Sequence, residues 1–433
     1  MTTHDQEASQ AVWRNYRHNL AVNVLDGTLF WCGASFIASS TILPVYISHF
    51  TNNKLVIGLL SMIGMTGWLL PQLLTANWVQ RLPRKKVLPV NLGFFTERLP
   101  VVFLALSTAW ALRAPTLALV AFFVTYTWHA FGAGVVAVAW QDMIAKIIPA
   151  HHRGRFFGLT NFLGTATGVV GAAGAAWVLD HYAFPTGYTW SFGTAAALML
   201  ISWVFLALTR EPAQESPAST VSHREYWRRL PSVLRADPNY RSYLLSQAVI
   251  SFGGMAIGFL TVYAVQRWQL PDGQAGIYTA SMLLGQAGSN LLFGLLADRR
   301  GHKMVLELST LLGILGVGLA ALAPGPAWFY AVYVLLGANT AGLLLSGLMI
   351  ALEFCPADLR PTYIGLNNTV RGAASGLAPV LGGWLAQVAG YQPLFAIACA
   401  IGFVGLALLH WSVREPRLAQ AGQSAEAVRG VEC

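Results

Sequence analysis

Six ionisable residues stand inside otherwise apolar stretches of the sequence: Asp26, Glu97, Arg98, His129, Asp142 and Arg371. A charge at the centre of a hydrocarbon layer costs about 2.5–3.5 kcal/mol on insertion scales, so each of these asks for an ion partner or a wet cavity. Buried acids and a histidine can take up and release protons, which makes Asp26, Glu97 and His129 the candidates for proton chemistry. Glu97 and Arg98 are neighbours, about 100° apart around a helix, and a purely structural pairing is the alternative for them. Arg371 follows Thr362 by nine residues, about 14 Å of helix, which puts it near mid-membrane, with Asn367 one turn earlier on the same face. It can meet an anion or serve as a packing arginine satisfied by carbonyls. Three uncharged amides, Gln72, Gln286 and Asn290, complete the polar supply. They can orient a solute or tie helices together.

The elements that must carry these residues are read from composition. The chain has 433 residues, 55% of them apolar and only 10% charged. A soluble domain carries roughly 25% charged residues, so this is the composition of a membrane protein. Apolar runs near 20–48, 55–79, 87–110, 115–141, 156–179, 188–209, 241–267, 274–297, 304–323, 327–352, 362–389 and 392–413 are each long enough to span a bilayer. The expected fold is therefore an all-α membrane protein of twelve transmembrane helices. The polar segment 210–240 separates residues 1–209 from 241–416, and 417–433 forms a polar tail; Ser222 followed by Glu225 predicts a capped amphipathic helix within the separating segment. The first apolar run, with no cleavage signal before it, reads as a retained span.

Most of the 27 Lys and Arg residues fall on alternate loops, which predicts both termini on the cytoplasmic side and contact with the lipid bilayer. That placement accounts for the net charge of +9 without nucleic acid. The four cysteines, Cys32, Cys355, Cys399 and Cys433, imply no disulfide framework. No H-E-x-x-H, Walker loop, G-x-S-x-G or Cys/His cluster of metal spacing occurs, so no enzyme, metal or cofactor is expected.

PAHHRGRFFGLTN (149–161) aligns with PADLRPTYIGLNN (356–368), and both halves finish on the same word, Arg210-Glu211-Pro212 and Arg414-Glu415-Pro416. The chain thus reads as six helices duplicated in parallel, giving two pseudo-symmetric six-helix bundles. GLLADRRGHKMVL (294–306) resembles the loop motif G-x-L-A-D-R-x-G-R-K-x-x-L of the major facilitator superfamily, and the twelve spans and parallel halves extend the resemblance over essentially the whole chain.

The resemblance implies a cytoplasmic gate built from Gly294, Asp298, Arg299, Gly301 and Lys303, with Arg81 and Arg84 in the degenerate first copy ANWVQRLPRKKVL (76–88) and Asp142 as an acid outside it. Arg81 would meet Asp142, and Glu353 or Asp358 is available to Arg299. The resemblance also places the first, fourth, seventh and tenth helices around a cavity, so Asp26, Phe30, Trp31 and His129 would line it. Arg371, Asn367, Gln72, Gln286 and Asn290 would contact solute. The glycines of the fifth and eleventh spans would pack where the halves move against each other. The implied function is secondary active transport by alternating access, in a monomer of the cell (inner) membrane. The preferred form is export of a small amphipathic or drug-like solute coupled to protons or another ion. Proton-coupled uptake of a polar or anionic nutrient, and a non-transporting receptor or scaffold, remain as alternatives.

Overall fold

The computed structural model describes residues 3–80, 82–213, 234–235, 237–354 and 360–416. Arg81, Asp358, Cys355, Cys433, the capped helix expected around Ser222 and the 417–433 tail lie outside them. The described residues form helices only: α1 Thr3–Ser35, the short α2 Ile42–Ser48, α3 Lys54–Gln80, α4 Leu88–Trp110, α5 Pro115–Ile147, α6 Arg153–His181 and α7 Thr186–Ala207. There follow α8 Pro238–Trp268, α9 Gln274–Arg300, α10 His302–Leu322, α11 Trp328–Phe354, α12 Arg360–Ala389 and α13 Tyr391–Ser412.

Among the described residues, ten helices are long and apolar enough to cross a membrane. The two remaining long helices, α1 and α12, are diluted by their own polar side chains, Asn19, Asn23 and Asp26 in the one, Asn367 and Arg371 in the other. Side chains that would be costly in water cover the outside: Leu322 is 83% and Trp411 80% exposed, as lipid-facing residues of a membrane protein should be.

Helix ends follow local chemistry. Pro238 opens α8 at a position where a missing N–H costs nothing, and the Asp237 carboxylate accepts the Tyr240 amide at 2.9 Å. Gly301 turns the chain between α9 and α10 with φ +87°, a value L side chains rarely adopt. Inside α4 the first turns are π-helical, Leu88–Leu92 and Phe94–Arg98, so that Gly93 N–H reaches back to Leu88 O and Leu99 N–H to Phe94 O. Such turns break the i→i−4 ladder and leave carbonyls to other partners.

The chain forms two compact units, Met1–Ser219 with Gly258–Leu284, and Thr220–Ile257 with Gly285–Cys433. In the first, α1 packs on α6 and α7, and α4 on α5 and α7. In the second, α8 packs on α12 and α13, and α10 on α11 and α13. These helices thus have the same neighbours in both units. Three of the α6 glycines pack on or just past α1: Gly164 faces Trp31, Gly171 faces Cys32 and Ser35, and Gly174 faces Phe36, while Gly168 faces Leu283 on α9.

The repeated Arg-Glu-Pro word closes each unit in the same way. Asn19 and Arg210 exchange two hydrogen bonds of 2.9 Å through side-chain amide and backbone, and Asn239 and Arg414 do the same at 3.0 and 2.8 Å. The following glutamate then seats on the start of the third helix of its unit. Glu211 accepts the Lys85 and Lys86 amides at 3.0 and 2.7 Å, and Glu415 accepts the Lys303 amide at 3.1 Å. A carboxylate is favoured there because those amides have no helical partner and the helix dipole is positive at that end.

Candidate functional site

The first unit buries an ionic group made by three helices. Asp26 on α1 and the adjacent Glu97 and Arg98 on α4 are only 3%, 5% and 5% exposed. Arg98 Nη1 pairs with Glu97 Oε2, while Nη2 lies 3.9 Å from Asp26 Oδ1. The Ser202 hydroxyl on α7 donates to Asp26 Oδ1 at 2.6 Å. Phe30, one turn from Asp26, holds its ring 4.9 Å from the guanidinium carbon, a cation–π contact. Two carboxylates therefore share one cation. With both ionised the group carries a net negative charge in a low-dielectric interior, and a single proton balances it.

His129 on α5 belongs to the same neighbourhood. Its Nδ1–H donates to the Glu97 backbone carbonyl at 2.7 Å, an oxygen in the π-helical stretch. Gly132, one turn on, makes the approach possible: a Cβ there would overlap the Thr96 carbonyl. Trp31 packs on α6 at Gly164, and the Gln72 amide donates to Trp68 O of its own helix at 2.7 Å. Sequence reasoning missed Ser202, whose signal was the one hydroxyl in the apolar stretch 195–207 of α7.

The second unit holds a polar group of a different kind. Asn367 is 1% exposed and, among the described residues, neither amide atom has a partner; Gln247 on the neighbouring α8 is also 1% exposed, with its Nε2 likewise unpartnered among them. Arg371 is half-buried, and among the described residues no carboxylate lies within ion-pairing distance of it. The half-buried Gln286 and Asn290 share α9.

At the gate motif, Asp298 and Arg299 are exposed, and neither makes an ion pair among the described residues. Gly301 supplies the turn, and Lys303 Nζ reaches Glu307 at 3.4 Å and donates to His410 O at 2.8 Å. Its counterpart Lys86 donates to the carbonyls of Ala207 and Thr209, both at 2.7 Å, and burial there pushes its pKa below the ordinary lysine value. Asp142 lies 3.7 Å from Lys85, and Lys146 pairs with Glu211 at 2.9 Å. Glu353, expected near Arg299, lies 3.7 Å from His302. Gly294 is half-buried, and a Cβ there would meet open space. Arg84 is exposed.

The sequence matches the Major Facilitator Superfamily over residues 26–271 and 243–431, and the chain belongs to that family. It is 32% identical over 139 residues to a putative transporter, SVOPL, of Homo sapiens, covering 30% of this chain and 28% of that protein. It is 25% identical over 141 residues to the thioclapurine efflux transporter tcpA of Claviceps purpurea (33% and 26% covered), and 28% identical over 116 residues to the niacin transporter NiaP of Acinetobacter baylyi (27% and 26% covered). The matched stretch thus spans under a third of these relatives' length. Among solved structures, a D-xylose-proton symporter superposes with a TM-score of 0.67 over 93% of this chain and 98% of its own at 15% identity. The nucleoside transporter NupG superposes with a TM-score of 0.67 over 91% and 100% at 12% identity. The fold is that of the family's transporters.

Proposed function

We propose that this chain is a secondary transporter of the cell membrane that works by alternating access and couples proton movement to the export of a small organic solute. The observation that carries the reading is the buried group of Asp26, Glu97 and Arg98, two acids on one guanidinium, which reaches electrical balance on taking up a proton. Proton uptake releases one carboxylate from Arg98 and so changes which helix contacts are favoured, which is how a gradient biases one of two states. The choice of export is supported by relatives named as efflux transporters. In this reading the termini face the cytoplasm, and His129 positions the π-helical stretch through the Glu97 carbonyl rather than relaying protons.

The test is solute flux in proteoliposomes under an imposed pH difference. One proton per solute across one pH unit supplies about 1.4 kcal/mol, enough for a tenfold solute gradient. Asp26→Asn is expected to lose that accumulation while keeping exchange down a solute gradient. Undiminished pH-driven accumulation in Asp26→Asn removes the ionic group from the coupling step.

A further inference from the structure

Arg98 and Arg371 are both intramembrane arginines, yet among the described residues only the first has acids beside it. Arg371 sits eleven residues into α12 from Arg360, about 16 Å along the helix and deeper than a lipid headgroup reaches. Its guanidinium occupies space left by Gly347 on α11, where a Cβ would stand 2.7 Å from Nη1. Tyr243 on α8 lies within the electrostatic reach of Arg371, and its hydroxyl donates to Gly347 O at 3.2 Å.

α8 and α12 run side by side in the same direction, with Tyr240 against Tyr363 at one end, ring centroids 4.4 Å apart, and Met255 against Gly382 at the other. From the tyrosine pair, Asn367, Gln247 and Arg371 lie about 6, 10 and 12 Å along their helices, so the three fall within about one helical turn of one another. Two of them are buried amides with unpartnered atoms, which native interiors rarely leave unfilled.

We propose that Arg371, Gln247 and Asn367 form the half-site of the second unit for the anionic group of the solute, a carboxylate taken by the guanidinium fork and steadied by amide donors. This rests on the transport reading and adds to it the substrate class: a small organic monoanion. A planar carboxylate fits two parallel N–H donors, and uncharged relatives of the same shape leave the guanidinium without a counter-ion.

The experiment measures thermal stabilisation of the detergent-solubilised protein by a panel of aromatic and aliphatic monocarboxylates, each against its primary amide. Binding is read at equilibrium, so it is independent of coupling. Carboxylates are expected to bind tighter than their amides by about tenfold or more, a preference lost in Arg371→Gln and partly kept in Arg371→Lys. Gly347→Ala, which keeps the charge and displaces the guanidinium, is expected to weaken carboxylate binding severalfold. Wild-type protein without a carboxylate preference, or Arg371→Gln with the preference intact, overturns the half-site even where pH-driven flux is observed. Carboxylate preference without pH-driven flux keeps the half-site and defeats the coupling.

Discussion

Arg98 holds two acids at once, so the group depends on the guanidinium more than on either carboxylate. Removing one member of a buried ionic set strands the rest at a cost of about 3–5 kcal/mol. Arg98→Gln is therefore expected to give the largest loss of thermal stability of any single change here. Adding Glu97→Gln to it should recover part of the loss, because one stranded charge is then gone. Melting of the purified variants in detergent checks the order; Arg98→Gln melting with the wild type would mean that the acids carry protons already. Asp26, Glu97 and Arg98 were each visible in the sequence as charges in apolar runs. That they form one group was not, because partner choice depends on how α1, α4 and α7 pack. The adjacency of Glu97 and Arg98 on an ideal helix also misleads where the turns are π-helical.

At the scale of the helices, α4 and α5 meet where the former is wound wide and the latter has no side chain. Gly132→Ala drives a methyl into the Thr96 carbonyl, and overpacking of this kind costs about 1–3 kcal/mol. The variant should melt lower and, since the His129 bond to Glu97 O spans the same gap, transport more slowly at unchanged solute affinity. The terminal clamps offer a paired test. Glu211→Gln and Glu415→Gln each weaken hydrogen bonds to a carboxylate, worth about 1.5–3 kcal/mol, and should lower stability in the same direction. A loss in only one would show that the two clamps are not equivalent. Hydropathy located the spans because a bilayer imposes length and apolarity on every one. It could not see the π-helical turns, which change backbone pairing without changing composition. The Arg-Glu-Pro repeat was legible as a word; its role needed the knowledge that each glutamate arrives at the start of another helix.

At the scale of the whole molecule, the chain passes from one compact unit to the other within α8 and within α9, at Gly258 and after Leu284. The duplicated six-helix order was legible in the sequence, whereas this division of single helices was not, since it arises from contacts between residues far apart in the chain. The start of α9 is held within the first unit through Asp272, two residues before it: His49 Nε2 lies 2.6 Å from Asp272 Oδ2, and the His49 ring stacks on Phe184 at 4.2 Å. Thr41 and Thr279 add a buried hydroxyl pair at 2.5 Å. On the proposed alternating-access reading such contacts are released in one of the states, and the ease of release sets how often the start of α9 is exposed. Asp272→Asn leaves the stacking in place and removes the charge from the His49 bond, which should make opening about tenfold more frequent by the usual worth of a charged hydrogen bond. Ala275, fully buried beside this contact, reports it: in an Ala275→Cys background, maleimide labelling should rise about tenfold on adding Asp272→Asn. Equal labelling with and without Asp272 would mean that the pair does not hold α9 in place.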